Sequence, residues 1–413
     1  MRSALLIGLP LSLVFQASAD TLIVPDDAIN LTAAIAIAQP GDTILVRTTL
    51  DQNDLGPVFV DKSLTVRGEP VCNFDLGAPA LILAGPGGAR LELENVVMGY
   101  GFTDADARPS LSGTGFEEVV LKGCEILHDN FAGSGLITLT EPAVDLPEVE
   151  RLALLDTQLL GSPAGADDCV VNLFLYANGE PGIYAPAADV VLLGSDVSGG
   201  RGGQVEATVQ PCPADLDEWP GKGGVAVVAA NVAQTQSTAT GGQGALWRSQ
   251  VLGLCNVGQS VVCGFQPQAA AFDVAGSVID RELSLLATPP SVSLSGGTQV
   301  LDLVAEPQFA GSLYFVAGSF SGATPGLPLG SLTVPLATPD PYFDYSIANF
   351  NGAVLGATLG TLDANGRAQA TVTLNPALST NLIGVSATHA CVIFDGALAP
   401  AAVSNPTELE IVP

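Results

Sequence analysis

The clearest repeated run in the chain is Val119-Val120-Leu121-Lys122-Gly123, with apolar first and third residues and a turn-forming fifth residue. Five further segments share this pattern, at 64–68, 91–95, 152–156, 190–194 and 227–231. In chain order the six copies start 27, 28, 33, 38 and 37 residues apart. The fifth residue is Gly, Asn or Asp in every copy, and these residues tolerate a left-handed backbone. Alternating apolar positions face one side of a strand. The pattern therefore predicts short strands that each end in a one-residue bend.

A second apolar position lies three residues beyond the bend in four copies, at Met98, Ile126, Leu159 and Val197. A strand, a bend and a second inward-facing strand form one turn of a parallel β-helix. Its repeats contact only their neighbours, so loops of unequal length can leave the stack. An ordinary β-sandwich with alternating strands is the alternative interpretation.

The segment before the repeat has the order expected of a cap. Apolar residues at helical spacing are followed by a helix-breaking turn, Pro40-Gly41-Asp42, and a strand at 43–46. The helical positions are Ile29, Ala33, Ala36 and Ile37. This order resembles the N-terminal cap of pectin-lyase-like proteins. The resemblance implies an all-β chain with a right-handed parallel β-helix, whose open end is covered by a short capping helix.

Composition excludes several classes of function. The 413 residues contain 42 Asp and Glu against 13 Lys and Arg, a formal net charge of −29 with no basic cluster. Such a chain repels nucleic acid, so we expect no nucleic-acid partner. Hydrophobic residues make up 47% and charged residues 13%, the opposite of a disordered chain. The 47 glycines and 29 prolines favour many short strands and turns.

The N-terminus indicates export. A basic start at Arg2, an apolar run at 4–15 and the small residues Ala17-Ser18-Ala19 predict a signal peptide over 1–19, with a mature chain from about Asp20. An uncleaved anchor is the alternative. No later segment is long and apolar enough to predict a transmembrane helix, so none is expected after signal removal.

Seven cysteines in an exported chain predict disulfides and leave at least one thiol over. Cys255 with Cys263, and Cys169 with Cys212, are close enough in sequence to close loops. Cys124 follows the bend at Gly123 on an inward-facing position, so we expect it to be a buried free thiol.

The sequence pattern changes near Ser284 from the repeat to alternating strands at short intervals, and we place a domain boundary between residues 286 and 287. Residues 20–286 are predicted to form the β-helix and residues 287–413 a small antiparallel β-sandwich. Alternating strands are expected there, including Tyr345-Ser346-Ile347, with a hairpin turn at 363–367. The runs at 321–326 and 362–368 resemble a C-terminal domain of exported bacterial proteins of uncharacterised role, which implies a secreted or surface location.

Three glycine-rich tracts, at 199–203, 221–224 and 241–244, are interpreted as turns with positive φ. A phosphate-binding loop would need a following helix and a Lys-Ser/Thr ending, and neither is present.

No catalytic set can be assembled from the sequence. Pectate-lyase-like chemistry needs Ca²⁺-binding carboxylates on adjacent repeats beside an Arg or Lys base. The acidic groups at 104–106, 167–168 and 215–218 fall in predicted loops and match no calcium motif, so we predict no metal site and no cofactor, with Ca²⁺ as the one open possibility. The motifs of polygalacturonase-like enzymes are also absent. His128 and His389 are interpreted as structural, with a general base at His128 as the alternative.

The best candidates for ligand contact are Trp219 and Asp217, in the loop Asp217-Glu218-Trp219-Pro220, where an exposed indole can stack on a sugar. The alternative is that Trp219 is structural and covers the edge of a coil. We therefore expect a secreted or cell-surface, non-catalytic protein in glycan binding, adhesion or a structural role. Its expected partner is an extracellular polysaccharide or a cell-surface component. The alternative is a polysaccharide lyase or glycoside hydrolase on the same scaffold.

Overall fold

The computed structural model describes residues 20–47, 57–74, 81–99, 109–127, 141–161, 179–202, 205–208, 222–244, 246–250, 260–265, 268–375 and 382–412. Strands dominate these residues, and two α-helices accompany them. The prediction of an all-β chain is confirmed.

The strands up to residue 280 form a 16-stranded sheet, here called the stacked sheet, and a small three-stranded sheet, and one helix accompanies them. They are β1 Thr21–Val24, α1 Leu31–Ile37, β2 Thr43–Val46, β3 Val58–Val60, β4 Leu64–Phe74, β5 Leu81–Gly99, β6 Leu111–Lys122, β7 Glu125–Leu127, β8 Val144–Asp145, β9 Arg151–Leu155, β10 Gln158–Leu160, β11 Ile183–Leu193, β12 Asp196–Ser198, β13 Val205–Thr208, β14 Val227–Thr235, β15 Thr238–Thr240, β16 Leu246–Gln250, β17 Ser260–Phe265, β18 Phe272–Val274 and β19 Val278–Asp280. The small sheet has the order β13-β16-β17.

Every pairing in the stacked sheet is parallel and joins equivalent strands of successive repeats. Leu64 pairs with Leu91, Leu91 with Val119, Val119 with Leu152, and Leu152 with Val190. These first five copies therefore stand in the predicted register. The apolar residues beyond the bend also align, since Met98, Ile126, Leu159 and Val197 pair in turn and are all at most 3% exposed.

The sixth copy was placed five residues too early. Val227 pairs with Ile183, and Val232 is the residue that pairs with Val190. The bend of this repeat accordingly falls at Gln236, with φ of 51°, and not at Asn231. The predicted segment at 227–231 matches the repeat pattern by coincidence. Strand β14 contains two consecutive apolar stretches, and only the second pairs with the earlier copies.

The predicted bend is confirmed in four copies. Asn95, Gly123, Asp156 and Gly194 have φ between 50° and 58°, whereas Gly68 does not have positive φ. Cys124, directly after one bend, is 2% exposed and is a free thiol, as predicted. Cys169, Cys212 and Cys255 lie outside the described residues, as does the predicted signal peptide.

The capping helix lies where it was predicted, but a different face of it is buried. Asn30 caps α1 by accepting a hydrogen bond from the Ala33 N–H at 2.8 Å, and Leu31 and Ile35 are the large side chains that face the core. Ile29 and Ile37, predicted to face the core, are 80% and 54% exposed.

None of the described glycines in the three tracts has positive φ, so the interpretation as positive-φ turns is wrong for them. Gly200, Gly224 and Gly242 all have ordinary negative or extended φ. Their backbones lie directly against one another, with Gly224 N–H donating to Gly200 O at 2.8 Å and Gly242 N–H donating to Gly224 O at 2.7 Å. A Cβ on Gly224 would overlap the carbonyl of Glu180. Close backbone approach explains these glycines.

Residues from 283 onward form further sheets. Their elements are β20 Leu283–Thr288, β21 Ser291–Ser293, β22 Gly297–Ala305, a 3₁₀ turn Pro307–Phe309, β23 Leu313–Ser319, β24 Leu327–Leu329, β25 Leu332–Val334, α2 Pro341–Ala348, β26 Leu355–Gly356, β27 Leu359–Thr361, β28 Arg367–Leu374, β29 Ser386–Phe394, β30 Pro400–Val403 and β31 Thr407–Val412. One sheet has the order β20-β22-β28-β26, and another has the order β21-β31-β29-β23-β27 with β30 beside β29. Buried residues of both, including Leu303 and Ile393, share one core. β20 runs through the expected boundary at 286/287.

Two local predictions in this part are wrong. Tyr345-Ser346-Ile347 is not a strand but lies in α2, whose start is fixed by an Asp340 cap and by Pro341 in the first turn. The turn at 363–367 exists but joins strands of different sheets, since β27 pairs with β23 and β28 with β22.

The C-terminal sheets dock on the outward side of the stacked sheet. Val120, Ala153 and Leu193 pack there against Leu286 and Val304. Polar contacts surround this junction, including a hydroxyl contact of 2.7 Å between Thr235 and Ser284. Strands β6, β9 and β11 are therefore buried on both of their faces at this point.

Candidate ligand-binding site

The residues predicted to contact a ligand cannot be placed. Trp219 and Asp217 lie outside the described residues, as do the acidic groups at 104–106 and 167–168 and His128. Trp247 lies in β16, where its backbone pairs with Val205 of β13. The ligand-contact roles of these residues therefore stay predictions.

One buried carboxylate of the stacked sheet, that of Glu118, is paired with basic residues on adjacent repeats. Glu118, 3% exposed, stands between Arg90 and Arg151 on the neighbouring strands. Arg90 Nε donates to Glu118 Oε2 at 2.6 Å, and Arg151 approaches Oε1 at 3.2 Å. These pairs are cross-strand contacts of the kind that stabilise sheets, and each oxygen of the Glu118 carboxylate faces an arginine.

A second ion cluster lies at the junction with the C-terminal sheets. Lys122 Nζ lies 3.0 Å from Glu92 and 3.1 Å from Asp302. Burial alone would lower the pKa of Lys122, but the two carboxylates outweigh this effect and raise it above its usual value. Lys122 therefore stays charged and joins the two parts of the chain.

A metal site is not found in the described residues, where no group of three or more His, Cys, Asp or Glu could hold an ion. A shallow cleft of about 330 Å³ lies where β19 meets β25 and β30. Arg281, Thr333 and Val403 are among its lining residues.

The most distinctive surface feature is a group of three nearly parallel rings, here called the aromatic stack, made of Phe320, Tyr342 and Tyr345. The Phe320 and Tyr342 ring centroids lie 4.6 Å apart with planes at 20°, and those of Tyr342 and Tyr345 lie 6.4 Å apart at 19°. Tyr342 is buried, while Phe320 and Tyr345 are 41% and 40% exposed. Ile347 and Phe350 also expose about half of their surface nearby in sequence. Exposed apolar groups gathered in this way mark binding surfaces.

Asp340 fixes the two elements that carry these rings. Its Oδ1 accepts hydrogen bonds from the N–H groups of Tyr342 at 2.8 Å and Phe320 at 3.2 Å, and its Oδ2 accepts from the Ser321 hydroxyl at 2.7 Å. Burial would raise the pKa of Asp340, but the hydrogen bonds to its charged form hold it below the usual value. The turn with Phe320 is thereby tied to the start of α2.

His389 contacts the hydroxyl of Tyr342, the central ring of the aromatic stack. The Tyr342 hydroxyl and His389 Nε2 lie 2.9 Å apart, and Nδ1 has no hydrogen-bond partner among the described residues. His389 is 1% exposed, and burial lowers its pKa to about 4. Gly318 makes room for the ring, because a Cβ there would overlap Tyr342 Cε1. The stack is thus preorganised.

The C-terminal part that carries the stack is acidic. Residues 283–412 contain one cation, Arg367, whose guanidinium lies 2.7 Å from Asp156 of the stacked sheet. The acidic residues in the same range are Asp302, Glu306, Asp340, Asp344, Asp363, Asp395, Glu408 and Glu410. Asp344 is exposed beside Tyr345. The part of the chain that carries the rings therefore has a net negative charge, with the exposed Asp344 next to Tyr345 in sequence.

Sequence reasoning missed this site. One signal was present, because Asp340-Pro341 predicts a helix start and Tyr342 and Tyr345, three apart, share a helix face. The contribution of Phe320 had no local signal.

Comparison with protein families, with curated proteins and with solved structures finds no match to this chain. Among the described residues, no helix is both long and apolar enough to cross a membrane.

Proposed function

We propose that this chain is an exported, non-catalytic protein, secreted or retained at the cell surface, that binds an extracellular glycan through the aromatic stack. The observation that carries the proposal is the pair of half-exposed rings, Phe320 and Tyr345, held nearly parallel to the buried Tyr342 ring. A ring held in one orientation loses little entropy when a flat apolar sugar face packs on it.

The proposed architecture is a right-handed parallel β-helix capped by α1, followed by an antiparallel β-sandwich. In its support, the equivalent strands of five repeats pair in parallel, and bends with positive φ follow the strand in four of them. The shared core of the two C-terminal sheets supports the sandwich. In this architecture the β-helix repeats form a rigid support for the aromatic stack.

The pairing of the buried charges supports a role without catalysis. Glu118 is engaged by two arginines, and Lys122 by two carboxylates. A general acid or base needs a group that can exchange a proton with substrate, and these groups are committed to holding strands together.

A glycan screen of the purified chain tests this function. We expect binding without turnover, and we expect Phe320→Ala and Tyr345→Ala each to weaken binding about tenfold, in line with the loss of a stacking ring. Phe59→Ala is the matched control, because Phe59 is 55% exposed on the stacked sheet, away from the site. Unchanged binding in both ring variants would contradict the site, and absence of any glycan binding would contradict the function.

The same screen decides between binding and catalysis. Reducing ends and unsaturated ends are measured with and without Ca²⁺, over neutral, amino-sugar and uronate glycans. Release of either kind of end would overturn the non-catalytic proposal in favour of a glycoside hydrolase or a polysaccharide lyase.

A further inference from the structure

We infer that the aromatic stack selects glycans that carry protonated amino groups over glycans that are N-acetylated or carry uronates. This inference rests on the proposed glycan-binding function and adds the chemical class of the ligand. It is carried by the acidic composition of the C-terminal part, by the exposed Asp344 next to Tyr345 in sequence, and by the geometry of the rings.

The charge of the C-terminal sheets is almost wholly negative. Arg367, the single cation of residues 283–412, is used at the junction, where it pairs with Asp156. Asp344, next to Tyr345 in α2, is exposed. Within a chain of net charge −29, a ligand that approaches the rings meets no compensating cation in this range. Such a field attracts cations and repels uronates.

The rings themselves favour the same charge. The face of an aromatic ring carries negative potential, and a cation positioned over it within about 6 Å is attracted. Phe320 and Tyr345 expose about two-fifths of their surface each, so their accessible atoms can meet a ligand. Ring potential and surrounding charge therefore act in the same direction.

A sugar suits this surface better than a basic peptide does. Three contacts fix the stack: the Asp340 hydrogen bonds, the Tyr342–His389 contact and the close fit at Gly318. A rigid surface gains most from a rigid ligand, because little freedom is lost on either side. A lysine side chain would lose much of its rotamer freedom on the rings, whereas a sugar ring has little to lose.

The test measures binding of three oligosaccharides of equal length to the purified chain: a glucosamine oligomer, its N-acetylated form and a galacturonate oligomer. At low salt we expect the amine form to bind about fivefold more tightly than the N-acetylated form, as a cation–π contact at an exposed site allows. The preference should shrink at physiological salt, because surface charges are screened. The uronate form should not bind.

Variants place the effect at the rings. Tyr345→Ala should weaken binding of the amine oligomer about tenfold, and Tyr345→Phe, which keeps the ring, should restore it. Asp344→Asn should reduce the preference for the amine form without abolishing binding. Phe59→Ala should change neither the affinity for the amine oligomer nor the preference for it, since Phe59 is an exposed ring on β3.

Each contrary result overturns a different claim. Equal affinity for the amine and N-acetylated forms would overturn the inference and leave the glycan function standing. Binding of no oligosaccharide would overturn the function itself. Amine binding that Tyr345→Ala does not change would reduce the preference to unspecific charge attraction. If oligo-lysine binds more tightly than the glucosamine oligomer, and Tyr345→Ala abolishes that binding, the site would be assigned to basic peptides.

Discussion

At the scale of single residues, His389 is a fully buried imidazole with only one of its two ring nitrogens hydrogen-bonded within the described residues. A buried polar atom without a partner destabilises the folded state. The Tyr342 hydroxyl that His389 contacts belongs to the central ring of the aromatic stack, and burial raises the pKa of this phenol. The site thus includes a histidine that must stay neutral for the rings to stay in place.

This histidine predicts acid sensitivity. Burial lowers its pKa in the folded chain to about 4 from the ordinary 6.5, so between these values the unfolded chain binds more protons. Stability therefore falls as pH drops through 6.5, and the loss is complete below about 4. We expect His389 to account for a loss on the order of 2 kcal/mol between pH 7 and pH 5. Urea unfolding of the native chain and of His389→Gln, each at pH 7 and at pH 5, measures this loss of stability.

The control for this effect is the second histidine of the chain. His128→Gln should keep the pH dependence of the native chain, whereas His389→Gln, which cannot take up a proton, should flatten it. Parallel curves for the native chain and His389→Gln would show that other groups cause the acid sensitivity.

At the scale of elements, the residues after three of the bends form a ladder through the core. The hydroxyls of Thr157, Ser195 and Ser237 form this hydroxyl ladder. Thr157 N–H donates to Ser195 Oγ at 3.1 Å, and Ser195 N–H donates to Ser237 Oγ at 3.1 Å. Each hydroxyl in turn donates to a backbone carbonyl two residues earlier, as Ser195 does to Leu193 O at 3.1 Å. The ladder satisfies N–H groups that the bend removes from strand pairing.

We expect Ser195→Ala to destabilise the chain by about 2 kcal/mol, because it leaves the buried Thr157 N–H without its acceptor. Ser195 is completely buried, so water cannot replace the hydroxyl. Thr240→Ala, at an exposed position of β15, is the control and should change stability by less than about 0.5 kcal/mol. Thermal unfolding compares the two, and equal effects would contradict a structural role for the ladder.

These elements show how far the sequence predicts the fold. The register of five repeats was predictable because an inward apolar pair and a bend residue recur together, as at Leu121 and Gly123. The sixth failed because the bend there is Gln236, a residue type with little preference for positive φ. The aromatic stack was not predictable, since Phe320 and Tyr345 lie 25 residues apart on different elements and only the fold brings them together.

At the scale of the whole molecule, the outward side of the stacked sheet determines how the C-terminal sheets attach. Ala153 and Leu193 stand on the outward positions of β9 and β11, where a solvated sheet would carry polar residues. They alternate with the inward Leu152 and Leu192, so both faces of these strands are apolar. The aromatic stack is therefore carried by a part of the chain that is anchored to the repeats.

Lys122 is the charged centre of this anchorage and gives the last prediction. Its side chain is 13% exposed, and those of Glu92 and Asp302 are 20% and 11% exposed, so its removal leaves two carboxylates poorly solvated. We expect Lys122→Ala to destabilise the chain by about 3 kcal/mol. Arg47→Ala, which breaks the exposed Arg47–Glu69 pair, should change stability by less than about 1 kcal/mol. Calorimetry should also show that Lys122→Ala separates the unfolding of the C-terminal sheets from that of the stacked sheet, whereas Arg47→Ala does not. A single transition with an unchanged midpoint in Lys122→Ala would mean that the apolar contacts around Leu286 alone hold the two parts together.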